Sequence, residues 1–225
     1  MRFQSSEINP EIQSILIVSL TNVGDVILSF PVVDVLKEQF PQARLSIVTG
    51  PKAQSLFDGN PHIHKVHVFD KREKSFKKFS WILDLRKSQY DLVVDLRNSF
   101  IPFLIRARQR TLPDFGFGKG RGLRGADHRK ARHLQRLESV LDFKTPPRSR
   151  YALFIREDDK RSVNELLLNH KVQPQERFFV VGCGAANRIK RWTPEGFARV
   201  CNRLVEEEKF KVVFVGDQND EEVSL

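Results

Sequence analysis

The chain has 225 residues, with 38 Lys and Arg against 28 Asp and Glu, a net charge of +10 and a pI near 9.8. At roughly 100–200 residues per domain this is one large domain or two modest ones, and an apolar content of 40% with 18 Phe excludes a disordered chain. Two cysteines, Cys183 and Cys201, exclude a disulfide scaffold and fit a reducing compartment. No apolar run approaches the ~18 residues of a spanning helix, and the polar start, Met1–Pro10, does not read as a signal peptide.

In chain order, Ile15–Leu20 is a short β-branched apolar run and predicts a buried strand. It leads through Thr21-Asn22-Val23-Gly24 into a helical pattern from Asp25 to about Phe40, which Pro31 kinks or truly begins and Pro41 ends. Leu45–Thr49 predicts a second strand, Lys52–Phe57 a short helix, and Gly59-Asn60-Pro61 a turn. Lys65–Phe69, Phe76–Arg86 and Leu92–Leu96 continue as strand, helix and strand. A helix is expected from Asn98 to about Arg108, then a Gly-rich basic loop, Phe115–Gly125, and a helix near Arg129–Leu141. Pro146-Pro147 breaks the chain, and Tyr151–Ile155 reads as a last strand or a connector. A second alternation follows: strand Phe178–Gly182, helix Pro194–Glu208 with Pro in its first turn, and strand Val212–Gly216. Such alternation means βαβ units and a parallel sheet covered on both faces. The expected class is α/β, with a complete Rossmann-like domain over 1–170 and the first part of a second over 171–225.

The charge is concentrated. Residues 97–150 hold 14 cationic and 4 acidic side chains, while the stretches on either side are close to neutral. A local field of this kind calls for an anionic partner, whether phosphate, nucleic acid or a membrane surface.

Two stretches could carry chemistry. Ser19–Asp25 lies where an open α/β sheet binds ligands, at the carboxyl end of a strand. Gly24 would permit a tight turn there, and Asp25 is either the N-cap of the following helix or a general base on the crevice floor. The second stretch, Val181–Pro194, begins as Gly182-x-Gly184-x-x-Asn187, with Asp217 after the next strand. It is a poor dinucleotide fingerprint, because ten residues separate Gly184 from Pro194. With Arg188, Lys190 and Arg191 it reads as a generic anion site or as a solvated basic loop packed on Trp192. His62, His64 and His67 lack the partners of a zinc site, Cys183 has no histidine at a recognisable spacing, and neither a nucleophile elbow nor a P-loop is present.

Ile15–Asp25 with Phe30-Pro31, Asp95-Leu-Arg-Asn-Ser-Phe100, and Gly184-Ala185 followed by Lys190-Arg191-Trp192-x-Pro194 together resemble glycosyltransferase family 9, the lipopolysaccharide heptosyltransferases. The resemblance runs in register from Ile15 to about Glu222 and implies the two-domain GT-B fold. It implies that Asp25 is the catalytic base for direct, inverting attack of an acceptor hydroxyl on an ADP-sugar. Thr21, Asn22, Gly24, Asn98 and Ser99 then fall to the acceptor, with Arg121 and Arg124 of the basic loop. Gly184, Ala185, Lys190 and Arg191 fall to the donor, Lys190 neutralising the diphosphate that leaves. The resemblance implies no metal and no cofactor beyond the ADP-sugar substrate, and an anionic lipid-linked saccharide acceptor. It also implies a cytoplasmic protein, peripheral to the inner face of a bacterial inner membrane, with no nucleic-acid partner. Family members continue through a second domain with an Asp-Ser/Thr-Gly-x-x-His element that contacts the donor. This sequence has no match to it, so the resemblance implies that these 225 residues hold only part of the nucleotide pocket and lack full transfer activity. The alternative is a basic nucleic-acid-binding α/β module built on residues 97–150, whose affinity would fall steeply with salt.

Overall fold

A computed structural model describes residues 12–113, 128–143, 150–185, 188–216 and 220. The chain divides into two compact units, Met1–Ile155 and Arg156–Leu225.

The first unit is built on a five-stranded parallel sheet: β1 (Ser14–Val18), β2 (Arg44–Thr49), β3 (Lys65–Val68), β4 (Tyr90–Asp95) and β5 (Ala107–Arg110), in the order β3-β2-β1-β4-β5. Ile15 and Ile17 of β1 sit in register with Leu45 and Ile47 on one side and with Leu92 and Val94 on the other. Alternation along each strand sends these six side chains to one face. There they pack against α1 (Val23–Ile27), α2 (Phe30–Gln39) and Leu137 of α5 (Arg129–Glu138). Leu16, Val18, Val48 and Val93 point to the other face, under Leu85 of α3 (Ser75–Lys87) and Ile101 of the short α4 (Ile101–Leu104). Both faces are covered, so the strands read as continuous apolar runs.

The single helix expected from Asp25 to Phe40 is two helices. Pro31 sits in the first turn of α2, where its missing N–H costs nothing, and Ser29 between them is buried, its hydroxyl 2.7 Å from the Val26 carbonyl. The segment 52–57 forms a 3-10 helix over Pro51–Phe57. The helix expected to Arg108 stops at Leu104, and Ala107–Arg110 instead forms β5. This strand pairs with β4 alone at the sheet edge and carries Ala-Arg-Gln-Arg, so no apolar pattern announces it. Tyr151–Ile155 is a connector and not a strand. One oxygen of the buried Asp34 accepts the backbone N–H groups of Arg150, Tyr151 and Ala152 at 3.1, 2.8 and 3.0 Å, and Asn60 Nδ2 donates to the carbonyls of Tyr151 and Ala152.

The second unit holds α6 (Glu157–Asn169), β6 (Phe178–Gly182), a 3-10 turn at Arg188–Lys190, α7 (Pro194–Glu206) and β7 (Lys211–Val215). The strands form a parallel pair with Phe178 opposite Lys211 and Gly182 opposite Val215. The units divide between Ile155 and Arg156, so α6 groups with the second and not, as expected, with the first. Lys211 of β7 holds this arrangement by donating to the Lys171 carbonyl just after α6 and pairing with Glu176 at 2.7 Å. The apolar side chains of β6 and β7 are only partly covered: Val180 is 57% exposed, against 0% for Ile15 through Val18 of β1.

Asp34 is the anchor of the connector. Asp34→Ala leaves three amide groups without their acceptor and is expected to lower unfolding free energy by roughly 2–4 kcal/mol in urea titration. A loss under about 1 kcal/mol would show that the connector is not held there.

Candidate active site

The end of β1 is bound tightly into the sheet. Ser19 N donates to the Val48 carbonyl at 2.9 Å, and Thr49 Oγ1 donates to the Leu20 carbonyl at 3.2 Å. A Cβ at Gly50 would lie 2.8 Å from Thr21 backbone and side-chain atoms, so only glycine lets the chain after β2 pass the β1 end. Gly24 makes no such demand. It lies inside α1, has open space where a Cβ would be, and does not form the expected tight turn.

Asp25 is not an N-cap. Asn22 occupies that position, and its Nδ2 donates to Asp25 Oδ2 at 3.3 Å. The other carboxylate oxygen accepts from Arg129 Nη1, brought in from the start of α5 across 104 positions of sequence. Asp25 is thus a partly exposed carboxylate held from two sides.

Helix α5 is tied to the strand ends by Arg129 and Arg136, which with His133 stand at i, i+7 and i+4 on one face. Arg129 takes Asp25. Arg136 Nε donates to the Asp95 carbonyl at 2.9 Å and Nη2 to the Leu112 carbonyl at 3.3 Å. His133 between them is 7% exposed, with Nε2 lacking a hydrogen-bond partner. Burial depresses the His133 pKa, the Arg129 and Arg136 charges push it down further, and Asp25 opposes them, so the imidazole is neutral near pH 7.

At the end of β4 the buried Asp95 organises the next turn. Its carboxylate accepts from Arg97 N at 2.9 Å, Ser99 N at 2.5 Å and Ser99 Oγ at 3.0 Å. Thr111 Oγ1 accepts from Asp95 N at 2.8 Å. The hydroxyl of Ser99 is therefore used within the turn, while Asn98 is exposed at its tip with φ 58°, a left-handed conformation asparagine tolerates. Arg97 lies 5.1 Å from the Phe69 ring centroid.

A pocket of about 210 Å³ opens at the carboxyl ends of β1, β2 and β3, lined by Thr21, Asn22, Lys52, Phe69, Lys71 and Arg72 among others. Thr21 and Asn22 were expected at the site; Lys52, Lys71 and Arg72 were not. For Lys71 and Arg72 the signal was available, since they lie three and four residues past the end of the third strand. Arg129, His133 and Asp95 had no local signal. Arg121 and Arg124, like Asn187 and Asp217, lie outside the described residues.

In the second unit, Gly184 and Ala185 follow β6, and Lys190 is exposed at the end of the 3-10 turn. Arg191 Nε donates to the Ala185 carbonyl at 2.9 Å, and its Nη2 pairs with Asp220 at 3.2 Å. A Cβ at Gly184 would fall 1.9 Å from Asp220 Oδ2, so an internal carboxylate rests on this glycine. Trp192 packs edge-on to Phe197 and over Gly196, where a Cβ would meet its ring at 2.5 Å. Among the described residues no group of three or more His, Cys, Asp or Glu is placed to hold a metal, and no helix is long and apolar enough to cross a membrane.

The parallel sheet with its β1/β4 switch, followed by a second βαβ unit, defines an α/β protein of the GT-B type. The chain is similar in structure to a crystal structure of a glycosyl transferase family 9 protein from Veillonella parvula: TM-score 0.76, 25% identity, 94% of this chain and 65% of that one. Escherichia coli ADP-heptose lps heptosyltransferase II superposes with a TM-score of 0.68 at 20% identity, over 94% of this chain and 66% of that one. The Haemophilus influenzae lipopolysaccharide core heptosyltransferase OpsX is 20% identical over 224 residues, covering 95% of this chain. Lipopolysaccharide heptosyltransferase 3 of Escherichia coli K12 is 24% identical over 202 residues, covering 80%. No family model matches the chain. Sequence and structure comparisons both find a likeness to heptosyltransferases and to a glycosyltransferase family 9 protein, the family that the motifs resemble. The chain spans 62% and 57% of the lengths of those two curated relatives.

The Asp25–Arg129–His133 grouping is testable by titration. In NMR of the histidine ring protons, His133 is expected to titrate below 6.5, to rise in Arg129→Ala as a repelling cation is removed, and to fall further in Asp25→Asn. A midpoint indifferent to both substitutions would show that the three do not share a site.

Proposed function

We propose that this protein transfers a sugar, heptose or a relative of it, from an ADP-sugar to an anionic saccharide acceptor of the lipopolysaccharide inner core. The observation that supports this most is the held carboxylate of Asp25, at the β1 end beside a pocket lined by Lys52, Lys71 and Arg72. Asp25 takes the proton of the acceptor hydroxyl as that oxygen attacks the anomeric carbon. The bond from that carbon to the diphosphate oxygen breaks on the opposite side, and ADP leaves with the electron pair, inverting the centre. Arg129 and Asn22 fix the carboxylate, an orientation that is worth much of a rate enhancement. Thr21, Asn22 and Asn98 border the acceptor, Gly24 leaves room for it, and the cations of the pocket meet its negative groups. Arg121 and Arg124 are assigned to the same acceptor charge. Ser99, whose hydroxyl is bound to Asp95, serves by shaping the turn.

Lys190 and Arg191, with the backbone at Gly184 and Ala185, receive the donor diphosphate and stabilise the charge that grows on it. Arg191 is paired with Asp220, so the donor must draw the guanidinium from an internal carboxylate. No residue in this scheme calls for a metal.

The nucleic-acid reading is weakened by where the cations of residues 97–150 go. Arg110 donates to the carbonyls of Pro102 and Ala107, Arg136 to those of Asp95 and Leu112, and Arg129 to Asp25. These three guanidinium groups are engaged by the chain itself, which makes them less available to a phosphate backbone.

Asp25→Asn is expected to cut transfer from ADP-heptose by 10²–10⁴-fold in an ADP-release assay, with the affinity for ADP unchanged. Turnover near that of the parent would remove Asp25 from the base role. Lys190→Ala and Arg191→Ala are each expected to weaken ADP binding about tenfold by calorimetry, roughly 1.4 kcal/mol. Equal titrations in parent and variants would refute the donor assignment.

A further inference from the structure

Helix α3 is apolar on two opposite sides. Its inner side is accounted for: Leu85 is fully buried, and Trp81 meets Phe69 with ring centroids 5.0 Å apart. Its outer side carries Phe76 and Phe79, each 66% exposed, and Leu83, 42% exposed. At 3.6 residues per turn these three fall within an arc of about 60°, a strip along the solvent side of the helix. The fold does not use them.

The charge around the strip has one sign. Residues 71–88 contain seven Lys and Arg against two carboxylates. Both carboxylates are already paired, Glu73 with Lys77 at 3.0 Å and Asp84 with Lys87 at 2.6 Å. Lys71, Arg72 and Lys74 lead into the helix, and Arg86 and Lys87 close its last turn. Aromatic and leucine side chains in a strip, bounded at both ends by cations, match a helix that lies in the plane of an anionic bilayer with its apolar side sunk about 5–10 Å into the headgroup boundary. A second copy of this chain is a poor occupant, because two such faces would bring like charges together.

We propose that α3 is the membrane-docking element of this protein and that its partner is an anionic phospholipid surface. Phe76, Phe79 and Leu83 enter the acyl boundary while the surrounding Lys and Arg side chains meet lipid phosphates. Lys71 and Arg72 belong both to the entrance of α3 and to the lining of the pocket beside Asn22, so a docked α3 holds that pocket in the headgroup layer. A lipid-linked acceptor would be found at that depth. The docking itself rests on the surface of α3 and not on the transferase reading, so each stands or falls by its own measurement.

The test is flotation of the full chain with vesicles of phosphatidylethanolamine and phosphatidylglycerol, with phosphatidylcholine vesicles alongside. The parent is expected to float with the anionic vesicles, to be released several-fold by 0.5 M salt, and to ignore phosphatidylcholine. Phe76→Ser/Phe79→Ser/Leu83→Ser is expected to lower the partition at least tenfold with an unchanged far-ultraviolet circular dichroism spectrum, since no buried contact is removed. Lys74→Glu/Arg86→Glu, which keeps the apolar strip, is expected to lower it as well. Parent-like binding by the apolar variant, or no binding by the parent, overturns the proposal. Loss of a dimer in the apolar variant without any vesicle binding by the parent assigns the strip to a protein interface and overturns it too.

Discussion

Everything at the proposed acceptor site depends on the pairing of β1 with two strands at once. β1 takes β2 on one side and β4 on the other, so the chain leaves its first strand in one direction and returns past it to build in the other. At that reversal the connections diverge, which is where open α/β sheets leave room for a ligand. Asp25 follows one of those ends and Asp95 closes the other. Moving β1 by one residue would turn Ile15 and Ile17 to the wrong face, and moving β4 would do the same to Leu92 and Val94, so the apolar register that makes the core also fixes where these carboxylates stand.

The two aspartates divide the work according to burial. Asp95, at 1% exposure, spends its oxygens on the amides and hydroxyl of the turn that follows it. Asp25 remains partly exposed, and what holds it is a guanidinium from a remote helix. A carboxylate paired in this way is oriented, and the pair stays responsive to an approaching charge, because either partner can exchange an internal contact for one with a ligand. Arg191 and Asp220 in the second unit present the same situation at a glycine where the proposed donor would bind. In each unit, then, the arginine already has an internal carboxylate as its partner.

The α/β alternation was legible because buried parallel strands must be apolar on both faces; Leu16–Val18 and Leu92–Val94 could hardly read otherwise. Edge and surface elements were not. β5 pairs on one side and carries Ala-Arg-Gln-Arg, and α6 buries no side chain, so neither needs an apolar period. Asp25, Asn22 and Arg191 were singled out by local pattern, since strand-end loops of this fold collect polar groups; the partners of Asp25 and Arg191 were not in that pattern. Gly24 was assigned a turn it does not make, because glycine in a sequence announces permission and not need; the glycine under steric demand is Gly50.

The sequence by itself determined the alternation of buried strands with helices, the apolar core of the first unit, and the concentration of charge in residues 97–150. These follow from side-chain period and composition, which act locally along the chain. Only the tertiary structure decided what that charge meets. Arg129 reaches Asp25 across 104 positions, Arg136 crosses to the β4 end, and Lys52 joins Lys71 and Arg72 around one pocket. The reason is physical: a charge is defined by its neighbours in space, and spacing along the chain does not contain them until the sheet has set its strand order.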